Sequence, residues 1–228
     1  MNIEHDIKEA GVQMILLVED SVRFYSSILP NLYSYILVQS QRISTEALNR
    51  HSATMRMRGR PKVVLARSYE EAMELYEKYK DTLGVISDAR FPVNGEKDSD
   101  AGLKLLRAIR AQDEDVPLIM ESSDSDNRQR AEAEGFRFVD KNSKKMSIDL
   151  KRIMEEHMGF GDFIFRNPVT REEIVRIHNL KELQDNIFKI PRDSMLYHIS
   201  RNHMSRWLCA RAIFPVSAFL KQVTWEKL

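Results

Sequence analysis

The stretch MILLVEDS, residues Met14 to Ser21, sets five apolar residues against two adjacent carboxylates. An apolar run of this length without alternation reads as a strand buried on both faces of a sheet. It surfaces at Glu19 and Asp20, two like charges side by side where the chain leaves the interior. Left alone, such a pair repels itself. Some other part of the chain must bring a compensating group to the same strand end.

Four more apolar runs follow: KVVLA (62–66), LGVIS (83–87), VPLIM (116–120) and FRFVD (136–140). Helical segments lie between them. In SYEEAMELYEKYKD, Ser68 and Glu71 have capping-box spacing, and Ala72, Leu75 and Tyr79 recur at helical intervals. AGLKLLRAIRAQ puts Leu103, Leu106 and Ile109 on one face. SDNRQRAEAEG stops at Gly135, and SIDLKRIMEEHMG stops at Gly159. Alternation of this kind predicts an α/β fold, a parallel sheet covered by helices on both faces. Five strands and five helices suit the flavodoxin-like, doubly wound order 2-1-3-4-5. Ligands in that topology bind outside the carboxyl ends of the strands, where the order reverses between the first and third.

Composition sets limits on function. The chain has 228 residues, 43% of them hydrophobic and 30% charged, which is enough for one ordinary domain and a smaller partner. A formal charge of +1 gives no global attraction to nucleic acid or to an anionic membrane, so neither partner is expected. Cys209, the single cysteine, allows no intramolecular disulfide, which points to a cytoplasmic setting. Its apolar context, RWLCARAIF, reads as a buried inert thiol. No apolar run approaches the roughly 18 residues of a membrane span, and MNIEHDIKEA lacks the apolar core of a signal peptide.

The organisation expected is a leader over 1–12, a main domain over 13–158, a connector over 159–169 and an all-helical segment over 170–228. Within the main domain the first crossover, Ser21 to Arg60, is longer than one helix needs and contains Pro30. It reads either as an elongated solvated helix or as a surface for a homodimer or another partner. RMRGRPK, with Arg56, Arg58, Arg60 and Lys62, reads as a solvated charged loop. In the tail, TREEIVRI carries a capping box from Thr170 to Glu173, and NLKELQDNIF another from Asn179 to Glu182. IPRDSMLYHISRNHMSRWLCARAIFP reads as one long amphipathic helix stopped near Pro215. His198 and His203 are five apart, not the four that places two ligands on one helix face, so they read as structural.

In the predicted sheet, Glu19, Asp20 and Asp88 converge at the switch point, with Ser122 and Lys141 at the ends of the fourth and fifth strands. Three gathered carboxylates call for a cation, and hard oxygen donors with room for water suit Mg²⁺. Mg²⁺ and Lys141 would draw charge from a phosphoryl group while Asp88 attacks phosphorus in line, giving an aspartyl phosphate. Ser122 could then bond a phosphoryl oxygen, and Phe138 in the fifth strand could pass that motion to the surface.

An acidic pair after the first strand, Asp88 after the third, Ser122 after the fourth and Lys141 after the fifth resembles the receiver domain of two-component response regulators. The resemblance spans about Gln13 to Met158. It implies that Asp88 is the phosphoacceptor, that Glu19 and Asp20 bind Mg²⁺ and that Arg90 supplies a backbone carbonyl to the metal. Ser122 becomes the switch hydroxyl, Phe138 the switch aromatic and Lys141 the phosphate-binding lysine. The implied partners are a histidine kinase or phosphotransfer protein, with a small phosphodonor as substitute. The domain's only chemistry would be its own phosphorylation and dephosphorylation. Two departures stand out: the loop ARFPVNGEKDSDAG is several residues longer than usual, and Asn142 follows Lys141 where the family has proline.

The tail segment LYHISRNHMSRWLCARAIFPV is similar to the linker of receiver-containing proteins related to phosphoenolpyruvate synthase and pyruvate phosphate dikinase. That similarity implies an output enzyme domain elsewhere. Two alternatives compete with the switch. A Mg²⁺-dependent phosphatase needs its nucleophile after the first strand and an aspartate two residues on, which Glu19-Asp20-Ser21-Val22 does not supply. A receiver-shaped scaffold that is never phosphorylated is the other.

Overall fold

The computed structural model describes residues 3–10, 12–46, 50–79 and 82–222. The chain runs α1 (Ile3–Ala10), β1 (Met14–Val18), α2 (Val22–Thr45), α3 (Arg50–Arg58), β2 (Lys62–Ala66), α4 (Tyr69–Lys78) and β3 (Thr82–Asp88). A short hairpin follows, β4 (Phe91–Val93) and β5 (Glu96–Asp98), then α5 (Ala101–Gln112), β6 (Leu118–Ser122), α6 (Asp126–Ala133), β7 (Arg137–Asp140) and α7 (Met146–His157). The remainder is β8 (Phe163–Arg166), β9 (Glu173–Ile177), α8 (Leu180–Asn186), α9 (Arg192–Ser200), α10 (His203–Ala210) and α11 (Phe214–Gln222). The chain divides into two compact units. Among the described residues the first comprises 12–37, 61–79 and 82–153; the second comprises 3–10, 38–46, 50–60 and 154–222.

The first unit is a five-stranded sheet in the order β2-β1-β3-β6-β7, all parallel. This is the predicted doubly wound flavodoxin-like order, 2-1-3-4-5 among the parallel strands. All five residues of β1 are fully buried, as are Val85 and Ile86 of β3 and Ile119 and Met120 of β6. Two-sided burial explains why these strands read as unbroken apolar runs. The fourth parallel strand starts at Leu118, not Val116, because Pro117 has no N–H to give the ladder; its carbonyl accepts from Val85 N–H at 2.9 Å. The capping box of α4 forms as predicted: Ser68 Oγ accepts from Glu71 N–H at 3.2 Å, and the Glu71 carboxylate reaches back to Arg67 N–H at 2.7 Å.

The long first crossover is a continuous 24-residue helix, α2, that runs through Pro30. Residues 3–10, expected as a leader, form α1. Part of the expected basic loop is helical, with α3 extending to Arg58.

The second unit corrects the expectation of an all-helical tail. Glu173 to Ile177 is a strand, paired antiparallel with β8, and not the start of a helix. Asn167 decides this locally: its Oδ1 accepts from Val169 and Thr170 N–H at 2.8 and 3.0 Å, making a turn around Pro168. Thr170 Oγ1 is drawn to the Glu172 carboxylate, so no capping box forms. Ile174, Val175 and Ile177 are β-branched and fit the pleated surface. The cap at Asn179 does form, with Oδ1 accepting from Glu182 N–H at 2.9 Å.

The expected long helix is two helices, α9 and α10, and a third, α11, begins at Phe214. Asn202, in left-handed conformation with φ 56°, separates α9 from α10, and Pro215 sits in the first turn of α11, where its missing N–H is not needed. Phe163, Phe165, Ile177, Ile199, Met204, Trp207 and Leu208 form the core. Arg211 is fully buried beneath them, its guanidinium 3.7 Å from the Trp207 ring and donating to the carbonyls of Gly159 (2.9 Å) and Gly161 (3.1 Å).

Candidate functional site

Parallel register aligns the strand ends of the first unit. Val18 pairs with Ser87, so Glu19 comes level with Asp88; Asp88 pairs with Glu121, and Glu121 with Val139. Residues level across a parallel sheet point to one face, and residues two apart along a strand share it. Glu19, Asp88, Glu121 and Lys141 therefore form a single row. Lys141 is the centre of that row: its ammonium bonds the Glu19 Oε2 atom, lies 2.6 Å from Asp88 Oδ1 and 4.0 Å from Glu121 Oε1. Beneath the ammonium, at 4.4 Å, is the ring of Phe24 in the first turn of α2.

Both oxygens of Glu19 are in use, one by Lys141 and the other by Ser21 N–H at 3.0 Å. Asp20, one residue further out, is the open member of the pair, and its Oδ2 lies 3.1 Å from Lys97 Nζ. Adjacent carboxylates thus have separate work, one holding the buried lysine and one facing outwards. The behaviour of the buried groups follows from this packing. Burial, then the charge of Asp88, pushes Glu19 upwards against the pull of Lys141. Burial also lowers Lys141, but Glu121, Asp88 and Glu19 together outweigh it, and its value stands above the usual one. Glu121 is fully buried with neither oxygen hydrogen-bonded, and burial pushes it up to about 8.

Glu19, Asp20 and Asp88 offer oxygen atoms that all lie within 4.8 Å of one another. An all-carboxylate set with waters to complete it has the chemistry that Mg²⁺ requires. The donor set fits the predicted ion.

Ser122 is the last residue of β6, one past Glu121. Its Oγ accepts from Asp124 N–H (3.1 Å) and Asn127 Nδ2 (3.0 Å). Phe138 is half-buried in β7, with the Arg128 guanidinium 4.6 Å above its ring. Arg90 is exposed at the start of the β4–β5 hairpin. Asn142 bridges the two neighbouring loops, Nδ2 donating to Ser123 O at 2.9 Å. Behind Asp88, α5 comes so close that a Cβ on Gly102 would lie 2.3 Å from the Asp88 carbonyl oxygen, so only glycine lets this helix support the strand end.

Three residues of the site were not assigned from sequence. Lys97 is delivered by the hairpin, whose signal was Asn94-Gly95 in the long loop. Phe24 had no sequence signal beyond its nearness to the acidic pair. Glu121 stood out only as a polar residue in an apolar strand.

The solved structures that this chain is similar to include receiver domains. A response regulator receiver domain protein from Clostridium thermocellum is 19% identical over 64% of this chain and 94% of its own, with a TM-score of 0.44. The non-phosphorylated HemR receiver domain from Leptospira biflexa is 22% identical over 62% and 94%, with a TM-score of 0.44. The receiver domain of a sensor histidine kinase from Pseudomonas aeruginosa, described with a magnesium ion coordinated in its active-site cleft, is 22% identical over 64% and 97%, again at 0.44. No known family and no curated relative matches the chain, so the second resemblance, of the tail to the phosphoenolpyruvate synthase group, finds no support. Among the described residues no helix is long and apolar enough to cross a membrane.

Proposed function

We propose that residues 13–158 are a phosphorylation-dependent signalling domain in which Asp88 accepts a phosphoryl group. The observation that carries this reading is the Lys141 ammonium shared between Glu19 and Asp88, with Asp20 in the same trio. An Asp88 carboxylate oxygen attacks phosphorus; the bond from phosphorus to its donor breaks, and the donor leaves with the electron pair, as an imidazole of a kinase or phosphotransfer protein or as acetate. Mg²⁺ held by Glu19, Asp20 and Asp88, with the Arg90 carbonyl as a further ligand, would withdraw charge from the phosphoryl oxygens. Lys141, buried and protonated, neutralises the acyl phosphate from within the sheet and costs no reorganisation, because it is already positioned.

The switch then runs through Ser122 and Phe138. To reach the phosphoryl group the Ser122 hydroxyl leaves Asn127 and Asp124 N–H, which frees the start of α6. Arg128, on that helix, covers Phe138, so release of α6 lets the ring turn. The changed surface is read by an output module, in a partner or in a further domain. Incubation with Mg²⁺ and acetyl phosphate, followed by intact mass, tests the reading. Wild type gains one phosphoryl group and Asp88→Asn gains none. Absence of the adduct on wild type overturns the proposal in favour of a non-phosphorylated scaffold.

A further inference from the structure

The segment between Asp88 and α5 is well anchored. β4 and β5 pair antiparallel, Phe91 opposite Asp98, across Asn94 and Gly95 with φ of 52° and 83°. Two positive φ values in a two-residue loop are the hairpin turn whose twist matches its strands. Phe91 is fully buried and pins one strand. The Asp98 carboxylate pins the other, accepting from Lys104 Nζ at 2.5 Å and from Asp100 N–H at 2.8 Å. At the tip, Asn94 N–H donates to Glu70 Oε1 at 2.8 Å. Anchored in three places, the hairpin holds the Lys97 ammonium 3.1 Å from Asp20 Oδ2.

The trio of carboxylates therefore meets two tethered ammonium groups. Lys141 takes Glu19 and Asp88 from the buried side, its side chain 2% exposed. Lys97 takes Asp20 from the solvent side, its side chain 54% exposed. A divalent ion that shares Asp20 would stand beside that second ammonium, and like charges at such range repel.

We infer that Lys97 is a tethered competitor for the divalent cation, occupying Asp20 in the metal-free protein and leaving it when the ion binds. The inserted hairpin then tunes cation affinity, and through it the rate at which Asp88 is loaded. This inference rests on the reading of Glu19, Asp20 and Asp88 as a cation site. Because Lys97 is half exposed, its release is into water, and the effect has the scale of a surface ion pair, about two- to fivefold in affinity.

Calorimetric titration of the full chain with Mg²⁺ tests it directly, with thermal unfolding in chelator establishing that each variant is folded. Lys97→Gln is expected to bind Mg²⁺ about two- to fivefold more tightly than wild type. Lys97→Glu should bind more tightly still, and Lys97→Arg should match wild type. Wild-type affinity in Lys97→Gln, weaker binding in it, or an arginine variant as tight as the glutamine one overturns the inference while leaving the cation site standing. Failure of every variant and of wild type to bind Mg²⁺ removes the cation reading together with the inference.

Discussion

The strand-end site and the histidine pair of the second unit both bury ionisable groups, and they resolve the cost in opposite ways. At the strand ends Glu19 and Asp88 share one buried ammonium as counter-charge, while Glu121, 4.0 Å from that ammonium and without a hydrogen bond, is pushed up to about 8 by burial. In the second unit His198 and His203 approach Nδ1 to Nδ1 at 3.0 Å, and His198 Nε2 accepts from Arg166 N–H at 2.9 Å. That acceptor role leaves the His198 proton on Nδ1, donated to His203. The other side chains whose charge acts on the pair, Arg166, Arg171, Arg201, Arg206 and His157, are all basic. Burial, then these arginines, lowers His198 to about 4; burial, then His198 and the arginines, lowers His203 to about 3. Burial alone does not decide whether a group stays charged. The nearest partner does.

The sharpest way to break this comparison is to remove the buried ammonium. Lys141→Met leaves Glu19 and Asp88 without their counter-ion, and the expected loss in urea unfolding is about 4 kcal/mol, with Mg²⁺ restoring part of it. A loss below about 1 kcal/mol would show that the acids can discharge themselves as the histidines do.

Changing pH tests the other side. The histidines are neutral in the fold, while in the unfolded chain they take up protons below about 6.5. Unfolding therefore binds protons, and stability falls as pH drops from about 6.5, by roughly 2 kcal/mol per histidine at pH 5. His198→Gln keeps an acceptor for Arg166 N–H and should remove about half of that slope in thermal melts between pH 7 and 5. An unchanged slope would place the acid sensitivity elsewhere.

The smallest effect concerns the ring beneath Lys141. Phe24→Leu preserves apolar cover but removes the cation–π contact, and should cost about 1 kcal/mol in the same urea assay. If Phe24 acts only as packing, the leucine variant will unfold like wild type.

Much of the acidic site was legible because its members end strands. β1 and β2 begin and end where their apolar runs do, and β1, buried on both faces, cannot be mistaken for an alternating strand. Once the order is 2-1-3-4-5, the approach of Glu19, Asp20 and Asp88 follows from topology. The row containing Glu121 was not legible. β6 begins two residues after its apolar run does and so extends through Glu121, whose register with Asp88 is set by the pairing of two strands and not by either apolar run. The tail was harder still. Glu173 to Ile177 fits a helix start by spacing and a strand by residue type, and only its partner across the Asn167 turn separates the two.

By itself, the order of residues determined the doubly wound sheet and the gathering of three carboxylates, because strand burial and crossover handedness are imposed by local pattern and short connections. Tertiary structure alone decided the side chains that complete the site: Lys97 from a hairpin, Phe24 from a helix start and Glu121 from a register. These depend on distances between segments remote in sequence, and no local preference of any one segment encodes such a distance.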